Sequence, residues 1–237
     1  RSKMEDTPVF LEAEQAAQGA KVASPTLGAL ITGHWRTLLV MGGLVTALNI
    51  VNYTLLSYMP TYLQRRLGLS ANEALIVPII GMMFMMVLLP FAGALSDRVG
   101  RKPLWRFSLI GLFLLVVPAY LLMATGFVGA VVGFALLGLL YVPQLATISA
   151  TFPALFPTSV RFAGFAIAYN VATSIFGGTA PAIGSSLIGL TGNELMPAFY
   201  MMLACVVGLI ALRFMPETAG QSLRDHTPSV RFSDQQR

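Results

Sequence analysis

Residues 93–103 read GALSDRVGRKP, a run that places one carboxylate, three cations and two glycines inside ten residues. On either side the chain is almost free of charge, with apolar stretches over 72–95 and 104–124. Each is long enough to cross a bilayer as a helix, which takes roughly 20 residues at about 1.5 Å each. A polar run this short between two such stretches is a tight connection at a membrane surface.

Working outward from that connection, four more stretches qualify, at 37–62, 127–152, 162–190 and 195–215. The whole chain of 237 residues is 56% hydrophobic and 11% charged, with a mean hydropathy of +0.74, far from the balance of a soluble domain. Helices are the expected element, because isolated strands leave backbone groups unpaired in lipid and no dyad alternation of barrel type is present. The expected architecture is an all-α membrane protein of six transmembrane helices. Its expected divisions are a polar lead-in over 1–35 with a short amphipathic segment, a bundle over 36–216 and a tail over 217–237.

Charge orients the bundle. With the N-terminus inside, thirteen of the fifteen Lys and Arg residues fall on the cytoplasmic side and only Arg65 and Arg66 outside. Both termini are therefore expected in the cytoplasm. The net charge of +5 is this topological signal, and no nucleic-acid partner is expected. Residues 1–24 are polar and mixed in charge, without the roughly 7–15-residue apolar core of a secretory leader. The chain opens on Arg1 and is expected to be a piece of a longer protein or a processed product.

Three spans precede residue 125 and three follow it, in blocks of equal length. An odd number of spans per block inverts the second block relative to the first, which is the 3+3 inverted repeat of half a transporter. Polar groups concentrate in the first, fourth and fifth spans, so lipid is expected over the third and sixth. In the first span Asn49, Asn52 and Tyr53 share one helical face, with Asn49 about 16 Å from Leu38 and hence near the midplane. Asn49, Asn52, Tyr53, Gln144, Tyr169 and Asn170 are the candidate substrate-binding residues, since amides and hydroxyls bind a zwitterion or carboxylate without burying a charge. The competing reading is plain interhelical hydrogen bonding, worth only about 0.6 kcal/mol on average. FGGTAP, residues 176–181, places Gly177, Gly178 and Pro181 in the fifth span as a candidate hinge, or as a close-packing surface. The methionine-rich run GMMFMMVLLP, 81–90, fits a surface that repacks, or simple core filling.

Several chemistries are missing from the pattern. No acidic residue lies deep in a span, His34 and His226 have no metal-ligand spacing, and no phosphate-binding glycine loop is present. Cys205 is a single cysteine, so no intrachain disulfide forms. Neither an enzyme nor a metal or organic cofactor is expected.

The opening run has the form G-x-L-x-D-R-x-G-R-K from Gly93 through Asp97, Arg98, Gly100 and Arg101 to Lys102, and it resembles the signature loop of the major facilitator superfamily. LFPTSVR at 155–161 and PETAGQSL at 216–223 stand at the matching topological positions and resemble that superfamily's sugar and metabolite porters. EDTPVFLE at 5–12, YMPTYL at 58–63 and MPAFYMM at 196–202 are similar to the metabolite:proton symporter family, on the side of its proline and glycine-betaine symporters. The resemblance implies the C-terminal six-helix half of a twelve-helix carrier in a bacterial inner membrane. It also implies a small polar solute such as proline or betaine, a proton as the coupling ion, and an N-terminal six-helix half as partner. It further implies that Gly93, Asp97, Arg98, Gly100, Arg101 and Lys102 act as a conformational latch, with Asp97 facing the other half. Ala154 departs from the pattern, because many sugar porters carry Glu before L-F-P-T. An organic-acid symporter for shikimate, oxoglutarate or citrate, and a non-transporting remnant or assembly partner, are the alternatives.

Overall fold

The structure is a computed structural model that describes residues 27–158 and 160–219; EDTPVFLE and most of the expected tail lie outside the described residues. Its elements are helical throughout. Helix α1 (Leu27–Asn52) kinks at His34, passes into a π-helical segment (Tyr53–Tyr58) and continues as α2 (Met59–Arg65), and together these make the first span. The second, third and fourth spans are α3 (Ala71–Val99), α4 (Arg101–Met123) and α5 (Phe127–Thr151). The fifth joins α6 (Arg161–Ala172), a second π segment (Thr173–Gly177) and α7 (Ala180–Thr191), and the sixth is α8 (Met196–Phe214). Among the described residues, six helices are thus long and apolar enough to cross a membrane.

Local signals set the helix ends. Ser70 caps α3 through a reciprocal box, its hydroxyl accepting from the Glu73 N–H while Glu73 Oε2 accepts from the Ser70 N–H at 2.9 Å. Gly100 separates α3 from α4 with a φ of 100°, a region that side chains other than glycine's rarely enter. Pro181 stands in the first turn of α7, where its missing N–H costs nothing.

The packing has the symmetry of an inverted repeat. Third packs on fourth and sixth on first; second packs on fourth and fifth on first; third and sixth pack on each other. Exchanging the first three spans for the last three maps every one of these contacts onto another in the set. Contact directions agree with the topology. Gly81 meets Phe134 and Met85 meets Gly138, so the second and fourth spans run parallel, whereas Gly43 meets Ala211 and Ala47 meets Gly208, so the first and sixth run antiparallel. These small residues let backbones approach closely, which is the main packing device available where lipid is as apolar as leucine.

Burial differs from the residue-chemistry expectation. The least buried spans are the second and fifth, not the third and sixth. Trp105, Ser108, Leu112, Val116 and Tyr120 of α4, and Met201 and Cys205 of α8, are buried because these two helices pack against each other and across both blocks. The second span instead exposes Ile79, Met83, Met86, Val87 and Phe91.

Candidate functional site

The first and fifth spans run in parallel and in register. Asn49 Nδ2 donates to Thr173 Oγ1 at 2.8 Å, and one turn further the edge of the Tyr53 ring lies on Gly177, where a Cβ would fall 2.7 Å from Cε2. Both contacts sit where the two spans leave regular α-geometry, since Tyr53 opens one π segment and Thr173 the other. Such segments widen the turn and loosen the backbone ladder, and they occur frequently at functional sites. The fourth span joins through Asn52, whose Nδ2 donates to Tyr141 Oη at 2.7 Å.

These two bonds gather hydrogen-bond donors at one level of an apolar bundle. Each amide spends one of its two N–H groups, and the hydroxyls of Tyr141 and Thr173 act as acceptors, so each still carries a proton to donate. Thr147, Thr179 and Thr191 return their hydroxyls to the carbonyl four residues back, whereas Thr173, like the buried Thr54 and Thr151, makes no such bond. Two N–H and two O–H groups are thus left undonated by these bonds where three spans meet, with Asn49 and Tyr141 buried and Asn52 and Thr173 partly exposed.

Of the candidate residues, Asn49, Asn52 and Tyr53 stand on this seam. Tyr169 lies one turn before Thr173 on the same stripe of the fifth span and stacks on Phe165 at 5.4 Å. Gln144 does not belong to it. Its side chain is fully buried and donates from Nε2 to Ser108 Oγ at 2.7 Å, while Ser108 donates to the Leu140 carbonyl, so Gln144 faces the third span. Asn170 is exposed and folds back onto the Ala166 carbonyl at 2.8 Å, one helical step away from the stripe. Thr173 and Tyr141 were missed as candidates; the four-residue spacing of Tyr169 and Thr173 was the available signal for the first.

The hinge residues divide. Gly177 is buried under Tyr53, whereas Gly178 is exposed, and a Cβ there would meet only the Ser174 carbonyl at 3.7 Å. Together with Pro181 they occupy the passage from the second π segment into α7.

The signature loop splits into an engaged part and an exposed part. The Glu217 carboxylate accepts the backbone N–H groups of Arg101 at 2.9 Å and Lys102 at 3.0 Å, capping the start of α4 from beyond the sixth span. Burial works against its charge, but N–H donation from Ala219, Arg101, Lys102 and Thr218 outweighs it and holds the Glu217 carboxyl below the usual carboxylate range. Residues 217–219 are therefore part of the bundle and not free tail. Arg101 Nη1 donates to the carbonyls of Ala150 at 2.7 Å and Thr218 at 3.2 Å, and Lys102 Nζ to that of Met215 at 2.5 Å. Asp97 and Arg98 are exposed, and neither has a hydrogen-bond or ion-pair partner among the described residues. Gly93 has open space around it, so no close helix approach depends on it.

An apolar groove of about 510 Å³ lies between the first and fifth spans, lined by residues that include Trp35, Leu39, Gly42, Thr46, Val171 and Phe176. Thr46 is the one polar side chain in its wall, and none of the seam's amides reach it, so it is unsuited to a polar solute.

The chain matches the sugar (and other) transporter family over residues 3–228. It is 39% identical to the ectoine/proline transporter ProP of Corynebacterium glutamicum, over 97% of this chain and 47% of that protein. It is 36% identical to the glycine betaine/proline/ectoine/pipecolic acid transporter OusA of Dickeya dadantii and 34% identical to the proline/betaine transporter of Escherichia coli K12, with the same shares covered. The chain thus spans about half the length of the curated relatives it matches. Six spans in an inverted repeat, a polar seam at their centre and a family match across nearly the whole chain agree: this integral membrane protein belongs to the sugar (and other) transporter family of the major facilitator superfamily.

Proposed function

We propose that the chain is one six-span half of a secondary transporter that moves a small zwitterion, such as proline or betaine, together with a proton by alternating access. The observation that carries this reading is the donor cradle of Asn49, Asn52, Tyr141 and Thr173, the polar meeting point of three spans. In this reading it offers a carboxylate four donors, and among the described residues every arginine and lysine stands towards a span end or beyond it, so none favours a dianion there. The relatives are named for proline, betaine and ectoine, which supports the same solute class.

A second six-helix half would complete the carrier. It would cover the exposed apolar faces of the second and fifth spans and supply the proton-binding carboxylate, since the acids among the described residues, Glu73, Asp97, Glu194 and Glu217, all stand at span ends. Asp97, exposed at the end of the second span, is placed to meet that half as a latch. The basic end of the bundle, with Arg36 packed over the Trp35 ring at 5.4 Å, is the cytoplasmic end of an inner-membrane protein in this reading.

The test is a pair of substitutions in the protein as its host makes it, read as proline and betaine uptake in proteoliposomes. Asn52→Leu is expected to raise KM at least about tenfold, through a lost charge-assisted hydrogen bond. Gln144→Leu, which faces the third span, leaves KM unchanged. Equal KM effects at the two positions would remove the cradle from solute binding.

A further inference from the structure

A zwitterion has a second end, and the seam has no carboxylate to meet it. Among the described residues every acidic side chain stands at the end of a span or beyond, so a cationic nitrogen at the level of Asn49 finds no acidic partner among them. What surrounds that level is aromatic. Tyr169 precedes Thr173 by one turn, and Tyr53 follows Asn49 by one turn, so the two rings bracket the Asn49 to Thr173 bond about 6 Å to either side of it along the spans. Both tyrosines are partly exposed. Both are also held from behind. Tyr169 is stacked on Phe165 at 5.4 Å with an interplanar angle of 27°, and Phe152 supports it at 6.5 Å, while Tyr53 rests by its edge on Gly177.

We propose that Tyr169 is the specificity element for the cationic end of the solute, receiving a quaternary or secondary ammonium on its ring by cation–π attraction while the Asn49, Asn52, Tyr141 and Thr173 donors take its carboxylate; Tyr53, about 12 Å away along the spans, is beyond the reach of the same cation. The inference rests on the zwitterion reading above and adds which residue selects for positive charge. The physical argument is one of desolvation. An alkylated ammonium has few or no N–H groups to satisfy, is weakly hydrated, and is attracted to a ring quadrupole most strongly where water is excluded. Positioned rings also leave no unpaired ion in the membrane when the site is empty, which a carboxylate counter-ion would. The stack of Tyr169 on Phe165 fixes the plane of its ring before the solute arrives.

The test uses the host-made protein with residue 169 replaced by Phe and then by mono-, di- and trifluorinated Phe, which weaken the ring quadrupole at nearly constant shape. Equilibrium binding of radiolabelled glycine betaine is read in competition with 3,3-dimethylbutanoate, the uncharged-carbon isostere that keeps the carboxylate. The expected result is a stepwise rise in betaine Kd, roughly three- to thirtyfold across the series, with the Kd of the isostere unmoved. Betaine binding that is flat across the series overturns this inference and leaves the transporter reading standing. Failure of the wild-type protein to bind betaine overturns both. The fluorinated series does not delete the side chain, so a folding defect in a Tyr169→Leu variant leaves the test intact.

Discussion

Asn49 and Thr173 stand 2.8 Å apart, amide to hydroxyl, and the same offset along the two chains seats Tyr53 on Gly177. The first and fifth spans therefore meet as two parallel helices whose irregular turns coincide. A methyl group at residue 177 would strike the Tyr53 ring, whereas Gly189, in the same span, has nothing within 4 Å. Gly177→Ala is expected to cost about 1–3 kcal/mol or to impair uptake severely, and Gly189→Ala to do neither. Thermal stability in detergent and uptake in proteoliposomes check this, and Tyr53→Leu is expected to restore the thermal stability of the Gly177→Ala variant by clearing the space.

The Asn49 to Thr173 bond is expected to matter more to transport than to folding. Interhelical hydrogen bonds in membranes contribute about 0.6 kcal/mol on average, so Thr173→Val should lower stability by less than about 2 kcal/mol. Its uptake KM should rise by a larger factor, because the variant removes a donor from the cradle. A double-mutant cycle with Asn49→Leu measures the coupling for both quantities. A KM change no larger than the stability change implies would make the bond purely structural.

Much of the fold was legible because hydropathy and charge report what lies in the membrane. The reading of 104–124 and 127–152 as spans differs from α4 and α5 by no more than three residues at any end. Rotation about the helix axis was not legible. Gln144 and Tyr141 are three residues apart on α5, yet one faces Ser108 of the third span and the other Asn52 of the first, and only packing decides between them. The π segments have no composition signal, so the register that joins Thr173 to Asn49 emerges only in three dimensions. Glu217 was visible as part of a motif, but its role as a cap on α4 spans more than a hundred residues and follows from how the sixth span returns to the third.

Glu217 gives a pH-dependent prediction. Its native carboxyl sits below the ordinary range, so its contribution is complete above the unfolded pKa and is lost only as the pH falls through the native value. Glu217→Ala should lower stability by roughly 1–2 kcal/mol at neutral pH, through loss of the cap at Arg101 and Lys102. The gap between variant and wild type should close in acid, below the ordinary carboxylate value of about 4.3. Unfolding monitored across pH for both proteins checks the sign.

Asp97 is exposed beside a loop whose Arg101 and Lys102 are committed to backbone carbonyls. Its charge is therefore free to act outside this bundle. Asp97→Asn should slow the maximal rate of uptake several-fold while leaving solute affinity and thermal stability within error. Loss of affinity instead would place Asp97 in the solute pathway.

The proposed carriage of a zwitterion with a proton is read most simply as driven uptake. Radiolabelled betaine uptake is followed in proteoliposomes of the host-made protein, with and without an inward proton gradient and with a protonophore. The expected result is accumulation above equilibrium that requires the gradient, collapses with the protonophore and is competed by proline but not by citrate. Uptake indifferent to the gradient, or competed by citrate and not by proline, would contradict it.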